Sequence, residues 1–264
     1  MFDSGVGGLT VLKALAAELP HEHFVYLGDT ARLPYGTKSP ETVARYALQA
    51  AEALCAYGVK CLVIACNTAS ALALEEIRGS TAVPVLGVIE TGANEAASSS
   101  KTREILVIGT DATIASHAYA AACRERGLRA LEKACPLLVP LVEEGWVEHA
   151  VTEQVARIYL AEAFADGFRD ADTLVLACTH YPLLMPVLRR VAPEHVRIVD
   201  SAESTAHAVA AHLREPISVN TSEERRSVAR LKFFATDSTE KFRRLGQRFL
   251  GRAIDTVQHV DLKE

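Results

Sequence analysis

The chain has 264 residues, of which 49% are hydrophobic and 23% charged, and its formal net charge is −5. This composition is typical of a globular protein with a substantial core, and the mild negative charge argues against nucleic acid or an anionic membrane as the main partner. The sequence has neither the run of about 18 apolar residues that spans a bilayer nor a signal peptide, so we expect a cytoplasmic protein.

Continuous apolar runs, which are typical of parallel strands buried on both faces, recur along the chain. They occupy residues 24–27, 62–65, 85–88, 105–108, 174–177, 196–199 and 231–235. Amphipathic helical patterns lie between them, and the last helix is predicted over residues 239–250. Only Met1 precedes Phe2, so the first strand is expected to be short. Strands that alternate with helices predict an α/β protein with parallel sheets.

Two stretches predict the division into domains. Residues 92–102 are small and polar, which is typical of a boundary, and a second boundary is expected near residues 201–205. We therefore predict a first α/β domain of residues 1–91 plus 204–264 and a second α/β domain of residues 92–203. The polar stretch 214–222 is predicted to be a loop.

An internal similarity points to the chemistry. Residues 62–68 and 174–180 share the same order of an apolar strand, a cysteine and polar residues. Two similar halves that face each other would bring Cys66 and Cys178 to opposite walls of one cleft, beyond the carboxyl ends of the strands, where ligands of α/β sheets bind. A helix N-terminus beside each thiol would lower its pKa toward neutrality, which suits a general acid or base. A buried cysteine with only a structural role is the alternative.

The remaining cysteines serve as a contrast. The sequence has no C-x-x-C pair, which argues against a zinc site, and a reducing compartment argues against disulfides. The positions in this group fit structural roles in helices or at strand ends: Cys55, Cys61, Cys123 and Cys135.

A glycine-rich turn, Asp3–Gly8, precedes the first helix. Such a turn exposes backbone N–H groups that hold an anion. It lacks the lysine of a P-loop and the spacing of a dinucleotide-binding turn, so a carboxylate fits better than a triphosphate. Asp3 itself either assists a thiol or caps the helix.

Other polar residues have weaker signals. Pro34, Tyr35 and Gly36, taken alone, predict a surface turn. His180 follows Cys178 by two residues, which makes it a candidate to relay that thiol's proton. Glu143 stands beside Glu144, and an acidic pair of this kind is normally solvated.

The motifs together resemble the glutamate racemase family in order and spacing, from residue 2 to about residue 251. The motifs that carry the resemblance are Asp3–Thr10, Pro34–Gly36, Ala65–Ala69, Pro136–Glu143 and Cys178–Pro182.

The resemblance implies two pseudosymmetric three-layer α/β domains with parallel-rich sheets and an active site in the interdomain cleft. It implies cofactor-independent interconversion of L- and D-glutamate, which supplies D-glutamate for peptidoglycan synthesis. Cys66 and Cys178 would exchange the α-proton on opposite faces of the substrate, with Asp3 near Cys66 and with His180 and Glu143 near Cys178.

The resemblance also implies a homodimer, no metal and a set of substrate-binding positions. These positions are Asp3, Ser4, Pro34, Tyr35, Gly36, Asn67, Thr68, Thr110, Thr113, Thr179 and His180. Three alternatives stay open. They are a racemase for aspartate or another amino acid, a two-domain small-molecule binding protein with inert cysteines, and a thiol-based hydrolase or acyl transferase.

Overall fold

The computed structural model describes residues 1–165, 168, 170–214 and 230–262. Within these residues the strands, in chain order, are β1 (Phe2–Asp3), β2 (Phe24–Gly28), β3 (Leu62–Ile64), β4 (Val85–Gly87), β5 (Glu104–Gly109), β6 (Arg129–Ala134), β7 (Thr173–Ala177), β8 (Arg197–Asp200), β9 (Leu231–Ala235) and β10 (Gln258–His259).

The helices of the same residues are α1 (Leu9–Glu18), α2 (Pro40–Cys55), α3 (Asn67–Leu72), α4 (Leu74–Ser80), α5 (Ile89–Ser99), α6 (Asp111–Ala115), α7 (Ala118–Glu125), α8 (Leu138–Glu143), α9 (Ala150–Ala165), α10 (Met185–Val191), α11 (Ala202–Arg214) and α12 (Thr239–Leu250). Two short 3-10 turns lie at Tyr35–Thr37 and Tyr181–Leu184. None of the helices described is long and apolar enough to cross a membrane.

The strands form two separate sheets whose described pairs are all parallel. The first sheet has the order β10-β9-β2-β1-β3-β4 and the second has the order β6-β5-β7-β8. The expected α/β class with two parallel-sheet domains is confirmed. Strands β9 and β10, from the end of the chain, belong to the first sheet. The boundaries at 91/92 and 203/204 stay a prediction.

The inner strands explain why apolar runs predicted them. Residues 105–108 of β5 are completely buried, because the strand has a neighbour on each side and helices on both faces. Strand β1 is as short as expected, yet Phe2 pairs with Leu27 on one side and with Ile64 on the other. The short strand is therefore central in its sheet.

Local signals set the helix ends. Ser39 caps α2, where its hydroxyl accepts a hydrogen bond from the N–H of Thr42, and Pro40 occupies the first turn. Ser238 caps α12 in the same way. Gly251 ends α12 in the left-handed conformation, with φ of 75°. The bounds expected for this last helix are confirmed.

The sequence singled out neither helix α5 nor strand β6. The small, polar stretch used to place a domain boundary overlaps α5, which spans residues 89–99, and the side chains of Ala93 and Ala96 are buried in the core. Strand β6 was not predicted, because it is a half-exposed edge strand without a continuous apolar run. The predicted loop at 214–222 lies outside the described residues from 215 onward.

The carboxyl ends of the inner strands of both sheets meet in one place. In the first sheet β1 and β3 end at Asp3 and just before Cys66, and in the second sheet β5 and β7 end just before Thr110 and Cys178. Tyr181 fixes this part of the second sheet, because its hydroxyl lies 3.1 Å from the carbonyl oxygen of Gly109 and 2.8 Å from that of Cys135. The candidate site lies at this junction.

Candidate active site

A narrow cavity of about 40 Å³ separates the strand ends of the two sheets. It is lined by Ser4, Gly5, Leu33, Pro34, Tyr35, Gly36, Cys66, Asn67, Thr68, Thr110, Val139, Glu143, Ala177, Cys178, Thr179 and His180. Both candidate thiols thus face one cavity. Among the residues expected at the site, Asp3 and Thr113 lie behind this lining.

Cys66 follows β3 and is the N-cap of α3, as its strand-end position predicts. Its Sγ accepts a hydrogen bond from the backbone N–H of Ala69 at 3.4 Å and donates to the hydroxyl of Ser4 at 3.7 Å. The expectation of a lowered pKa is wrong for this thiol. Burial, followed by the nearby carboxyl of Asp3, raises the pKa of Cys66 to about 12, and these two effects outweigh the lowering of the pKa by the contacts with Ala69 and Ser4.

Cys178 follows β7 and is 7% exposed. Its Sγ lies 4.0 Å from Nδ1 of His180. The chain continues into the 3-10 turn Tyr181–Leu184, and α10 begins only at Met185. The neighbour that acts on this sulfur is therefore a side chain, and the helix start expected directly after Cys178 is absent.

His180 contacts Glu143 as well as Cys178, so it links the thiol to the carboxylate. Nε2 of His180 lies 3.2 Å from Oε1 of Glu143. Burial lowers the pKa of His180, but hydrogen bonds with Cys178 and Glu143 outweigh it and raise this pKa to about 10. The hydrogen bond with His180 lowers the pKa of Glu143. The expectation that this acidic pair is solvated is wrong for Glu143, which is half-buried, and right for Glu144, which is exposed.

Asp3 ties the two halves together. It is fully buried, its Oδ2 accepts the N–H of Gly5 at 2.9 Å, and its Oδ1 accepts the hydroxyl of Thr179 at 3.3 Å. Burial raises the pKa of this carboxyl. The helix-cap interpretation is wrong, because Gly8 is the N-cap of α1.

Three threonine hydroxyls from both halves form a cluster at the cavity. The hydroxyl of Thr68 lies 3.0 Å from those of Thr110 and Thr113, which lie 2.9 Å from each other. Gly36 packs against this cluster, because a Cβ at position 36 would stand 2.5 Å from the Cβ of Thr110. Hydroxyl groups donate as well as accept, so the cluster suits a carboxylate.

The surface-turn interpretation is wrong for Tyr35 and Gly36, which are buried, whereas Pro34 is exposed. Tyr35 is 1% exposed and its hydroxyl donates to Oδ2 of Asp29. Asp29 is also completely buried and accepts Arg32 Nε at 2.7 Å and the hydroxyl of Thr236 at 2.8 Å. The phenol of Tyr35 is therefore engaged by Asp29, and Tyr35 also lines the cavity.

The sequence did not reveal every residue of the site. Asp29 and Tyr119 were missed, because their partners are distant in the chain: Tyr119 donates to Oδ1 of Asn67, and the two residues are 52 positions apart. Leu33 and Val139 add apolar lining, and only Val139 lies in a motif that carried the resemblance. No cluster of His, Cys, Asp and Glu that suits a metal occurs in the described part of the chain.

Comparison with known proteins assigns the chain to a family. The family model for Asp/Glu/Hydantoin racemase matches residues 8–209. The chain belongs to the Asp/Glu/Hydantoin racemase family. It is 53% identical to the glutamate racemase of Koribacter versatilis, with 99% of this chain and 96% of that protein aligned. It is 48% identical to the glutamate racemase of Geobacter metallireducens, over 100% of this chain and 96% of that one.

A solved member of the racemase family has the same fold. The crystal structure of glutamate racemase from Francisella tularensis in complex with D-glutamate superposes with a TM-score of 0.90 at 36% identity. The alignment covers 99% of this chain and 96% of the other. The resemblance to this family expected from the motifs is confirmed.

Proposed function

We propose that this chain interconverts L- and D-glutamate by moving the α-proton between Cys66 and Cys178. The observation that carries the proposal is the placement of two strand-end thiols, one from each sheet, on one narrow cavity. The relatives named above are glutamate racemases, and the Francisella tularensis structure contains D-glutamate.

Racemisation needs a base on one face of the α-carbon and an acid on the other. One thiolate removes the proton and becomes a thiol, while the opposite thiol delivers its own proton and becomes a thiolate. The two sulfurs have exchanged roles after one turnover, so they titrate as a pair. A thiol hydrolase or acyl transferase needs one nucleophile only and gives the second thiol no task.

The surroundings of the two sulfurs support different resting roles. The pKa of His180 is raised to about 10, so its imidazole is cationic at neutral pH, and its Nδ1 lies 4.0 Å from the sulfur of Cys178. The raised pKa of Cys66 keeps that sulfur as a thiol. We infer that Cys178 is the resting base and Cys66 the resting acid.

The remaining polar groups suit the two carboxylates and the amine of glutamate. The proposed contacts come from Ser4, Asn67, the threonine cluster of residues 68, 110 and 113, Thr179 and the backbone of residues 34–36. Donors fixed around developing negative charge stabilise it without reorganisation at the moment of reaction. Asp3 and Glu143 hold two of the lining residues in place, because Asp3 accepts a hydrogen bond from Thr179 and Glu143 contacts His180.

The size of the cavity adds a step. The cavity leaves little free space, about 40 Å³, between the two sheets. We propose that the two sheets separate to admit substrate and close again for reaction, as gated active sites do.

Further proposals follow from the same family. We propose that the product D-glutamate serves peptidoglycan synthesis in the cytoplasm, that glutamate is the small-molecule partner, that the chain works as a homodimer and that no cofactor takes part.

The decisive experiment is circular dichroism of L-glutamate and, separately, L-aspartate with the purified chain in deuterated water. We expect loss of the glutamate signal, deuterium at Cα of the new enantiomer, no change with aspartate and no inhibition by hydroxylamine, which traps carbonyl cofactors. Racemisation of aspartate but not of glutamate would show that aspartate is the substrate. Binding of glutamate without turnover would instead support an inert binding protein.

A further inference from the structure

A buried hydrogen bond joins the two halves of the molecule beside the cavity. The phenol of Tyr119 donates to Oδ1 of Asn67 at 2.7 Å. Tyr119 belongs to α7, which packs on the second sheet, and it is completely buried. Asn67 is the first residue of α3, directly after Cys66, and it lines the cavity.

The phenol is held in place on all sides. Its ring packs in the apolar core of the second sheet with residues such as Ile89 and Val107. Gly92 leaves room for the hydroxyl, because a Cβ at that position would stand 3.0 Å from the phenolic oxygen. Burial raises the pKa of Tyr119, which keeps the phenol protonated and able to donate.

The position of the phenol decides which end of the Asn67 amide faces the substrate. An amide carries its acceptor and its donor on opposite sides, so an Oδ1 that faces Tyr119 turns Nδ2 the other way. Among the described residues, Nδ2 of Asn67 makes no hydrogen bond. A donor without a partner at a cavity wall suits a carboxylate. The flipped amide would present an acceptor, which suits an ammonium group.

Building on the proposed function, we propose that Tyr119 is a positioning residue that holds the N–H₂ group of Asn67 toward a carboxylate of the amino-acid substrate.

A double-mutant cycle tests whether Tyr119 acts through Asn67. In the parent chain Tyr119→Phe should raise KM for glutamate about fivefold, the effect of one hydrogen bond, with kcat within about twofold because the contact is the same before and during reaction. In the Asn67→Ala background the same substitution should leave KM within about twofold. Tyr159→Phe, which removes a half-buried phenol outside the cavity, is the control and should leave KM unchanged.

A role in packing alone gives a different result. If Tyr119→Phe raises KM equally in both backgrounds, the phenol acts independently of Asn67 and the proposal is wrong. It is equally wrong if Tyr119→Phe leaves KM unchanged in the parent chain.

A second measurement needs no turnover. The sequence has only three asparagines, at positions 67, 94 and 220, so ¹⁵N-asparagine labelling yields three side-chain amide signals, and Asn67→Ala assigns one of them. We expect this signal to move in Tyr119→Phe while the Asn94 signal stays in place, and to move when glutamate is added to the parent chain.

The two proposals fail separately. If the parent chain does not racemise glutamate, the proposed function is wrong. The Asn67 amide signal still tests whether Tyr119 orients Asn67. If the Asn67 signal does not move in Tyr119→Phe, the positioning role of Tyr119 is wrong, even when the chain is a fully active racemase.

Discussion

Gly7, in the turn after β1, packs directly against Thr179, in the loop after β7, so the two halves of the site touch with no side chain between them. A Cβ at position 7 would overlap the Thr179 hydroxyl and stand 2.6 Å from Nδ1 of His180. Neither side chain can move without loss, because Thr179 donates to Asp3 and His180 faces Cys178.

We expect Gly7→Ala to reduce kcat/KM for glutamate at least about a hundredfold, since a displacement of about 1 Å at a catalytic group has effects of this size. Steady-state kinetics by circular dichroism measures it. Gly79→Ala is the matched control: nothing lies within 4 Å of a Cβ at that position in α4, so activity should be unchanged and the free energy of unfolding should rise by about 0.5–1 kcal/mol. Full activity of Gly7→Ala would mean that the halves do not meet as closely during catalysis.

The two cysteines should be individually indispensable for racemisation. We expect Cys66→Ser and Cys178→Ser each to lower kcat at least about a thousandfold, because a serine hydroxyl is a far weaker acid than a thiol and does not ionise near neutral pH to act as the base. Each variant should still eliminate a β-leaving group from one enantiomer of a substrate analogue, since elimination needs a base on one face only. Opposite enantiomers for the two variants would assign each sulfur to its face.

Cys55→Ser provides the control for this pair. Cys55 is half-buried at the end of α2, where its sulfur lies 3.5 Å from the hydroxyl of Thr81, outside the cavity. Its replacement should leave kcat within about twofold. Racemisation at the parent rate by either Cys66→Ser or Cys178→Ser would refute the two-base mechanism.

The sequence predicted the inner strands and the positions of the two cysteines after strand ends for a physical reason. Strands β3 and β7 are buried on both faces, so each appears as an unbroken apolar run, and a cysteine just after its end marks where the sheet meets the cleft. Edge strand β6 has one covered side only and no such run. The small residues 92–99 resemble a linker in sequence, but close packing of α5 is what requires them.

The parts of the site that escaped prediction depend on contacts between distant segments. Asp29 acquires its role from Thr236, which lies 207 positions later in the chain, and Tyr119 acquires its role from Asn67. The pKa of Cys66 was predicted from the helix that follows it, whereas burial decides it. Local patterns carry no record of burial depth or of long-range partners.

Asp29 is the centre of a buried network that holds one wall of the cavity. It accepts hydrogen bonds from Arg32, Tyr35 and Thr236, and the Tyr35 bond fixes the segment of residues 34–36. We expect Asp29→Asn to lower the free energy of unfolding by about 1–3 kcal/mol, because a buried acceptor of three donors loses its charge and leaves Arg32 uncompensated. Chemical denaturation followed by circular dichroism measures the loss.

The same variant should also raise KM, because the segment at 34–36 loses its anchor. Asp255→Asn, an exposed carboxylate, is the control and should change stability by no more than about 0.5 kcal/mol. Unchanged stability and unchanged KM in Asp29→Asn would show that the neutral side chain holds the segment equally well, which contradicts the role of the charge.

His180 should make the stability of the fold depend on pH. Its pKa is raised from about 6.5 to about 10 in the folded chain by Cys178 and Glu143, against the effect of burial. Protonated His180 therefore stabilises the fold fully below about pH 6.5, and this contribution is lost as the pH rises toward 10. Glu143 has a lowered pKa and is ionised in both folded and unfolded chains throughout this range, so it does not contribute to the slope.

Thermal unfolding of the parent chain and of His180→Gln, measured from pH 6 to pH 10, tests this relation. The difference in Tm between the two proteins should be largest at pH 6 and should shrink steadily toward pH 10, because glutamine has no proton to lose in this range. His195→Gln, at an exposed position, should follow the parent curve at every pH. A Tm difference that stays constant with pH would mean that His180 is not charged beside Cys178, and the assignment of Cys178 as the resting base would lose its electrostatic support.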